Sequence, residues 1–208
     1  MGFGILFLGS LFFCNIPYHN YTDIFAVAIM LYALTTLAPY ARGFAMAIKA
    51  GLPLLFISFL GFILAILNLI GFLSFPTWLI PSVTSIGYVC KFFFLWLIFL
   101  GVDEVAKETD IQKIRAHALR SRFLTPIVCF AGILLEVGVF DTKTVFLKYY
   151  LLGFLLFGVI YAILNSKTIF ECYMMICFEG DENMDAPPSR FRFGKNADNS
   201  TKKGNDKK

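Results

Sequence analysis

Long apolar runs alternate along this chain with short polar or charged stretches, the pattern of membrane-spanning helices and their connections. Six runs stand out, at about 2–16, 24–38, 52–73, 82–101, 123–140 and 145–164. The first, closed by Pro17, would extend only about 22 Å as a helix against a hydrocarbon core of about 30 Å, which predicts a short span or a re-entrant or tilted segment. It has neither the basic flank nor the small residues of a cleaved signal sequence. Asp23 is placed to cap the second helix, which ends before Pro39, with a kinked or interfacial continuation toward Ala50. Ser74, Phe75 and Pro76 close the third run, Trp78 takes the place of an interfacial aromatic, and Pro81 opens the fourth.

Between the fourth and fifth runs, residues 102–122 are rich in charge. Asp103/Lys107, Glu104/Lys107 and Asp110/Lys113 fall at helical spacings there, predicting a solvated helix that continues from the fourth span. After the sixth run, Asn165 to Thr168 interrupt the apolar character and Ile169 to Phe178 resume it, too briefly to cross a bilayer. Residues 166–180 therefore read as an interfacial amphipathic segment on the inner leaflet. Pro, Asn, Gly, Ser and Lys dominate residues 181–208, the composition of a disordered tail. The expected fold is an all-α membrane bundle of about six transmembrane helices in residues 1–165, with one cytoplasmic helical connection and an interfacial C-terminal helix.

Composition sharpens this reading: apolar residues are 58% and charged residues 15% of the chain, against about 45–50% and about 25% in soluble domains. The basic residues also orient it. Arg42 and Lys49 fall in the second connection, five more in the fourth and eight beyond the last run, so fifteen of the 18 Lys and Arg share one side. Lys143 alone takes the other side, and Lys91 and Lys148 lie within runs. The positive-inside rule assigns the fifteen to the cytoplasm of a plasma membrane, with both termini there. The net charge of +4 thus reflects topology and gives no argument for nucleic acid. Five Cys, at 14, 90, 129, 172 and 177, predict thiols rather than a disulfide framework.

No phosphate-binding Gly loop, nucleophile elbow or zinc-protease motif occurs, so the sequence offers no catalytic residues, no metal ligands and no cofactor. His19, with Tyr18, Tyr21 and Asp23, reads as an ordinary interfacial loop, and His117 as solvated. The sequon Asn20-Tyr21-Thr22 lies too near two spans for easy glycosylation, and Asn199-Ser200-Thr201 falls on the cytoplasmic side. Gly61/Ala65, Ala41/Ala45 and Gly43/Ala47 place small residues four apart, as helices in close contact or a homodimer would use. Arg190-Phe191-Arg192-Phe193 could rest on anionic headgroups. Polar residues inside the spans carry the main functional signal. Lys91 lies near the middle of the fourth run, and counting residues puts Glu136 about 7 Å, Asn68 about 8 Å and Lys148 about 10 Å outward of the midplane. Tyr88 is one turn from Lys91. Two expectations compete: a polar cluster facing an outward-opening cavity, or a buried Lys91–Glu136 pair that fixes helix packing while Lys148 snorkels.

The opening Gly2-Phe3-Gly4-Ile5-Leu6-Phe7-Leu8-Gly9, followed by Asn15-Ile16-Pro17 and Asp23, resembles the start of small uncharacterised multi-pass membrane proteins of low-GC bacteria. That resemblance covers roughly forty residues and implies a bacterial inner membrane without implying an activity. The architecture is also similar to that of the membrane subunits that bind substrate in ATPase-driven vitamin importers. The sequence thus favours a non-enzymatic membrane protein with a structural, assembly or signalling role, whose partners are the bilayer and another membrane protein or a second copy. A small-solute or ion carrier, or such an importer subunit, is the alternative.

Overall fold

A computed structural model describes residues 2–13, 23–70, 76, 78–137 and 145–176, except the side chains at 65, 68, 69 and 145–147. Six helices and no strands occur among these residues: α1 (Gly2–Phe12), α2 (Asp23–Leu37), α3 (Arg42–Ile70), α4 (Leu79–Glu108), α5 (Gln112–Glu136) and α6 (Val145–Ile176). Four of them contain stretches long and apolar enough to cross a membrane: Arg42–Leu64, Leu79–Glu108, Gln112–Glu136 and Lys148–Ile176. α1 and α2, of 11 and 15 residues, are shorter. The buried faces of the helices are mainly apolar, and exposed large side chains such as Phe56, Phe93, Phe123, Ile163 and Tyr149 cover the outside. A surface of that kind suits lipid.

Consecutive helices pack side by side, and α6 returns against α1, closing the ring. Antiparallel contacts fix which ends meet. The N-terminal end of α1 meets the C-terminal end of α2 at Gly2 and Leu37, and meets α6 where Gly4 touches the Tyr173 ring. The Gly43 N–H of α3 donates to Glu104 Oε2 of α4 at 2.9 Å. One end of the bundle therefore gathers the start of α1, the α2–α3 and α4–α5 turns, and the end of α6.

The elements depart from the sequence reading in three places, each for a local reason. Residues 42–50 continue α3, not α2, because the chain turns at Ala38–Tyr40 around Pro39 and a fresh helix starts at Arg42. The helix expected over 102–122 is two helix ends, since Asp110 adopts φ 55° and the Ile111 N–H closes on the Ala106 carbonyl at 3.1 Å, which terminates α4. No break occurs at Asn165–Thr168: α6 runs through to Ile176, with the Thr168 hydroxyl donating to the Leu164 carbonyl of its own helix. What reads as a separate interfacial helix is the last turns of α6, held against α1 by Phe7–Phe170 ring contact. Residues 14–22, including His19 and the first sequon, and the tail from 177 onward lie outside the described residues.

A candidate site around Lys91

Lys91 forms the centre of the interior. α4 carries it on the face that also buries Tyr88, Phe94, Leu95 and Ile98, so its ammonium points into the bundle. It is 1% exposed and forms an ion pair with Asp23, which is 0% exposed. The Tyr88 ring centroid lies 5.1 Å from the ammonium and the Phe13 centroid 5.4 Å, within cation–π range. Asp23 begins α2, where the positive end of the helix dipole favours a carboxylate. Its Oδ1 has no hydrogen-bond partner among the described residues.

Helix length explains how a residue at a helix terminus reaches the interior. α2 starts beside Lys91, yet α4 begins twelve residues earlier, at Leu79, so α4 extends about 18 Å past the level of Asp23. α1 and α2 accompany the longer helices for only part of their length. Gly132 of α5 completes the enclosure, since a Cβ there would lie 2.5 Å from the Tyr88 ring. Cys129, one turn before Gly132, is buried close enough to Lys91 to feel its charge.

Of the five candidate polar residues, the structure brings Lys91 and Tyr88 together. Glu136 is buried on the face of α5 that carries Gly132, one turn further along, and Lys91 forms an ion pair with Asp23. Lys148 is exposed on α6. Asn68 belongs to α3, with its side chain outside the described atoms. Sequence reasoning treated Asp23 as a cap and missed it as a partner. The signal was present: Asp23 is the one carboxylate before Asp103, so few acids could meet a lysine buried in α4.

Two further polar clusters flank this centre. Toward the end that holds the chain's first helix start, the Thr125 and Tyr161 hydroxyls share a 2.7 Å hydrogen bond between α5 and α6, and Ser10 and Ser166 one of 3.2 Å between α1 and α6. A cavity of about 20 Å³ lies among Ser10, Phe13, Tyr161 and Asn165, room for about one water. At the end itself, buried Asp103 gathers Lys107 at 2.6 Å, Arg115 at 3.5 Å and Arg122 at 3.9 Å, while the Arg122 guanidinium stacks 4.7 Å from the Trp96 centroid. The spacing Asp103/Lys107 thus forms its pair. Glu104 serves the start of α3, and Lys113 reaches Glu171 at 3.3 Å beside the His117 Nδ1 contact of 2.6 Å.

A larger void, about 420 Å³, opens between α5 and α6 and is lined by Ala131, Tyr149, Tyr150, Gly153, Phe154 and Phe157. It is an apolar groove on the outside of the bundle, reached by neither Lys91 nor Asp23. Among the described residues no group of three or more His, Cys, Asp or Glu is placed to hold a metal ion. No family model, no curated protein and no solved structure matches this chain.

Proposed function

We propose that this chain is a multi-pass plasma-membrane protein that works through its helix bundle, in a structural, assembly or signalling role, and not through catalytic groups. The closed packing around Lys91 carries this reading. A carrier cycle needs a solvated route to its ionisable residue, whereas here a carboxylate and two aromatic rings enclose the ammonium and the large void lies elsewhere. In that role the Lys91–Asp23 pair clamps the short α1–α2 hairpin to α4 and specifies how the pair docks. The end that gathers Arg42, Lys107, Lys113 and Arg115 faces the cytoplasm under the positive-inside rule. Because α1 and α2 run antiparallel and return to that end, the assignment is the same whether they complete six crossings or form a re-entrant pair.

A second reading, a small-solute or ion carrier or the membrane subunit of an importer, is favoured by one observation. α2 begins part-way along α4, so a helix N-terminus faces an ionisable pair inside the bundle, as in the broken helices of carriers. The native Cys129 thiol, 4% exposed beside Lys91, separates the two. A small charged thiol reagent applied to the folded protein, with modified sites mapped by mass spectrometry, should leave Cys129 unmodified until the protein is denatured. Rapid modification in the folded state would establish a water path to Lys91 and favour the carrier.

A further inference from the structure

We infer that the cavity between α1 and α6 binds one water molecule, which donates one hydrogen to Asn165 Oδ1 and the other to Ser10 Oγ and so ties the two helices together. The inference goes beyond the roles proposed above and depends on neither.

Asn165 creates the need for it. The residue is 7% exposed, and its buried Oδ1 has no hydrogen-bond partner among the described residues. An amide oxygen left unpaired in an apolar interior is costly. Asn165 lines the cavity of about 20 Å³ together with Ser10, Phe13 and Tyr161, and a space of that size holds a single water.

Counting hydrogens identifies the occupant as a donor. Ser10 gives its hydroxyl hydrogen to the Phe7 carbonyl at 2.7 Å, so Ser166 is the donor in the 3.2 Å bond between the two serines. Thr125 gives its own to the Ser121 carbonyl at 2.7 Å, so Tyr161 is the donor in the bond they share. The Tyr161 oxygen therefore accepts from the Asn165 amide beside it, which turns the amide nitrogen toward Tyr161 and leaves Oδ1 to accept elsewhere. All four hydroxyl hydrogens are committed, while Asn165 Oδ1 and Ser10 Oγ each keep a lone pair.

Water has two hydrogens to give and fits the space. A metal cation would also meet oxygens alone, but these oxygens are neutral. The Lys91 ammonium, moreover, already lies 5.4 Å from the centroid of the Phe13 ring that lines the same cavity. A second positive charge there would be unpaired in an apolar interior. The bound water also accounts for the polar stretch at Asn165–Ser166 inside an unbroken α6: both side chains serve the contact with α1, Ser166 directly and Asn165 through the water.

The test is a crystal structure of the full chain, grown from lipid, at a resolution that shows ordered waters, determined in sodium chloride and again in choline chloride. A density peak at about 2.7–3.2 Å from both Asn165 Oδ1 and Ser10 Oγ, present in both salts, is the expected result. A peak that requires sodium makes the occupant a cation and overturns the proposal. A cavity without density in either salt overturns it too, as does an Asn165 amide turned onto a protein donor. Thermal unfolding of Ser10→Ala, Asn165→Ala and the double variant gives a second readout. Because either single change releases the shared water, the loss of melting temperature in the double variant should fall short of the summed single losses by about 2–4 °C. Strictly additive losses overturn the bridge, and should Asn165→Ala fail to fold, the two structures of the native protein still decide.

Discussion

A lysine in the apolar middle of a helix costs about 2.5–3.5 kcal/mol on insertion scales, and here the charge of Asp23 and the faces of Phe13 and Tyr88 offset it. Removing one partner strands the other in a low-dielectric interior. Lys91→Met or Asp23→Asn alone should therefore destabilise the protein by about 3–5 kcal/mol, while the double variant should lose far less than the two combined. Thermal unfolding in detergent across the four proteins measures this, and strictly additive losses would contradict the pairing. Asp110 offers the opposite case. Its φ of 55° is strained for any residue with a Cβ, so Asp110→Gly should raise stability by up to about 1 kcal/mol, less what the exposed 3.1 Å bond from Gln112 contributes. A lower melting temperature would show that this bond outweighs the strain.

At the scale of elements, close approach of α3 and α4 depends on two glycines. A Cβ at Gly43 would run into the backbone of Gly101, and one at Gly101 would lie 2.6 Å from the Phe44 ring. Gly43→Ala must push two backbones apart and should cost about 1–3 kcal/mol or more, also weakening the Gly43 N–H bond to Glu104. At Gly61, where a Cβ meets nothing within 4 Å, the same change should be neutral or gain up to about 1 kcal/mol from helix propensity. Comparing the two melting temperatures tests whether the α3–α4 crossing is set here. Small residues four apart were visible at both Gly43/Ala47 and Gly61/Ala65, but spacing could not say which pair meets a neighbour. Ala47 is fully buried beside Gly43's face, whereas Gly61 opens outward.

For the whole molecule, the basic end and the proposed cytoplasmic assignment make a prediction about access. A cysteine introduced at Gln112, exposed at the start of α5, should react with an impermeant thiol reagent only after cells are permeabilised. One introduced at Trp78, 65% exposed at the opposite end, should react from outside. The reverse pattern would invert the topology, and reaction of both from outside would remove the bundle from the membrane.

The chain's own pattern determined that it folds as apolar helices, roughly where their apolar cores lie, and that its charges crowd toward one end, because helix period, run length and the transfer cost of charge act on neighbouring residues. Sequence also singled out Lys91, since a lysine amid Phe and Leu is conspicuous without any structure. Its partner was decided in three dimensions. Counting along the spans points to Glu136 as an acid near its level, and by itself does not bring in Asp23, which reads as the cap of a helix that begins at the membrane surface. The shortness of the first two runs is legible in the sequence, but only packing reveals that α2 starts part-way along α4, so that Asp23 begins its helix beside Lys91. The joining of 42–50 to α3, and the passage of α6 through Asn165–Thr168, were settled likewise. Hydrogen bonds within a helix tolerate polar residues wherever a neighbouring helix buries or satisfies them, and no local pattern records which neighbour that is.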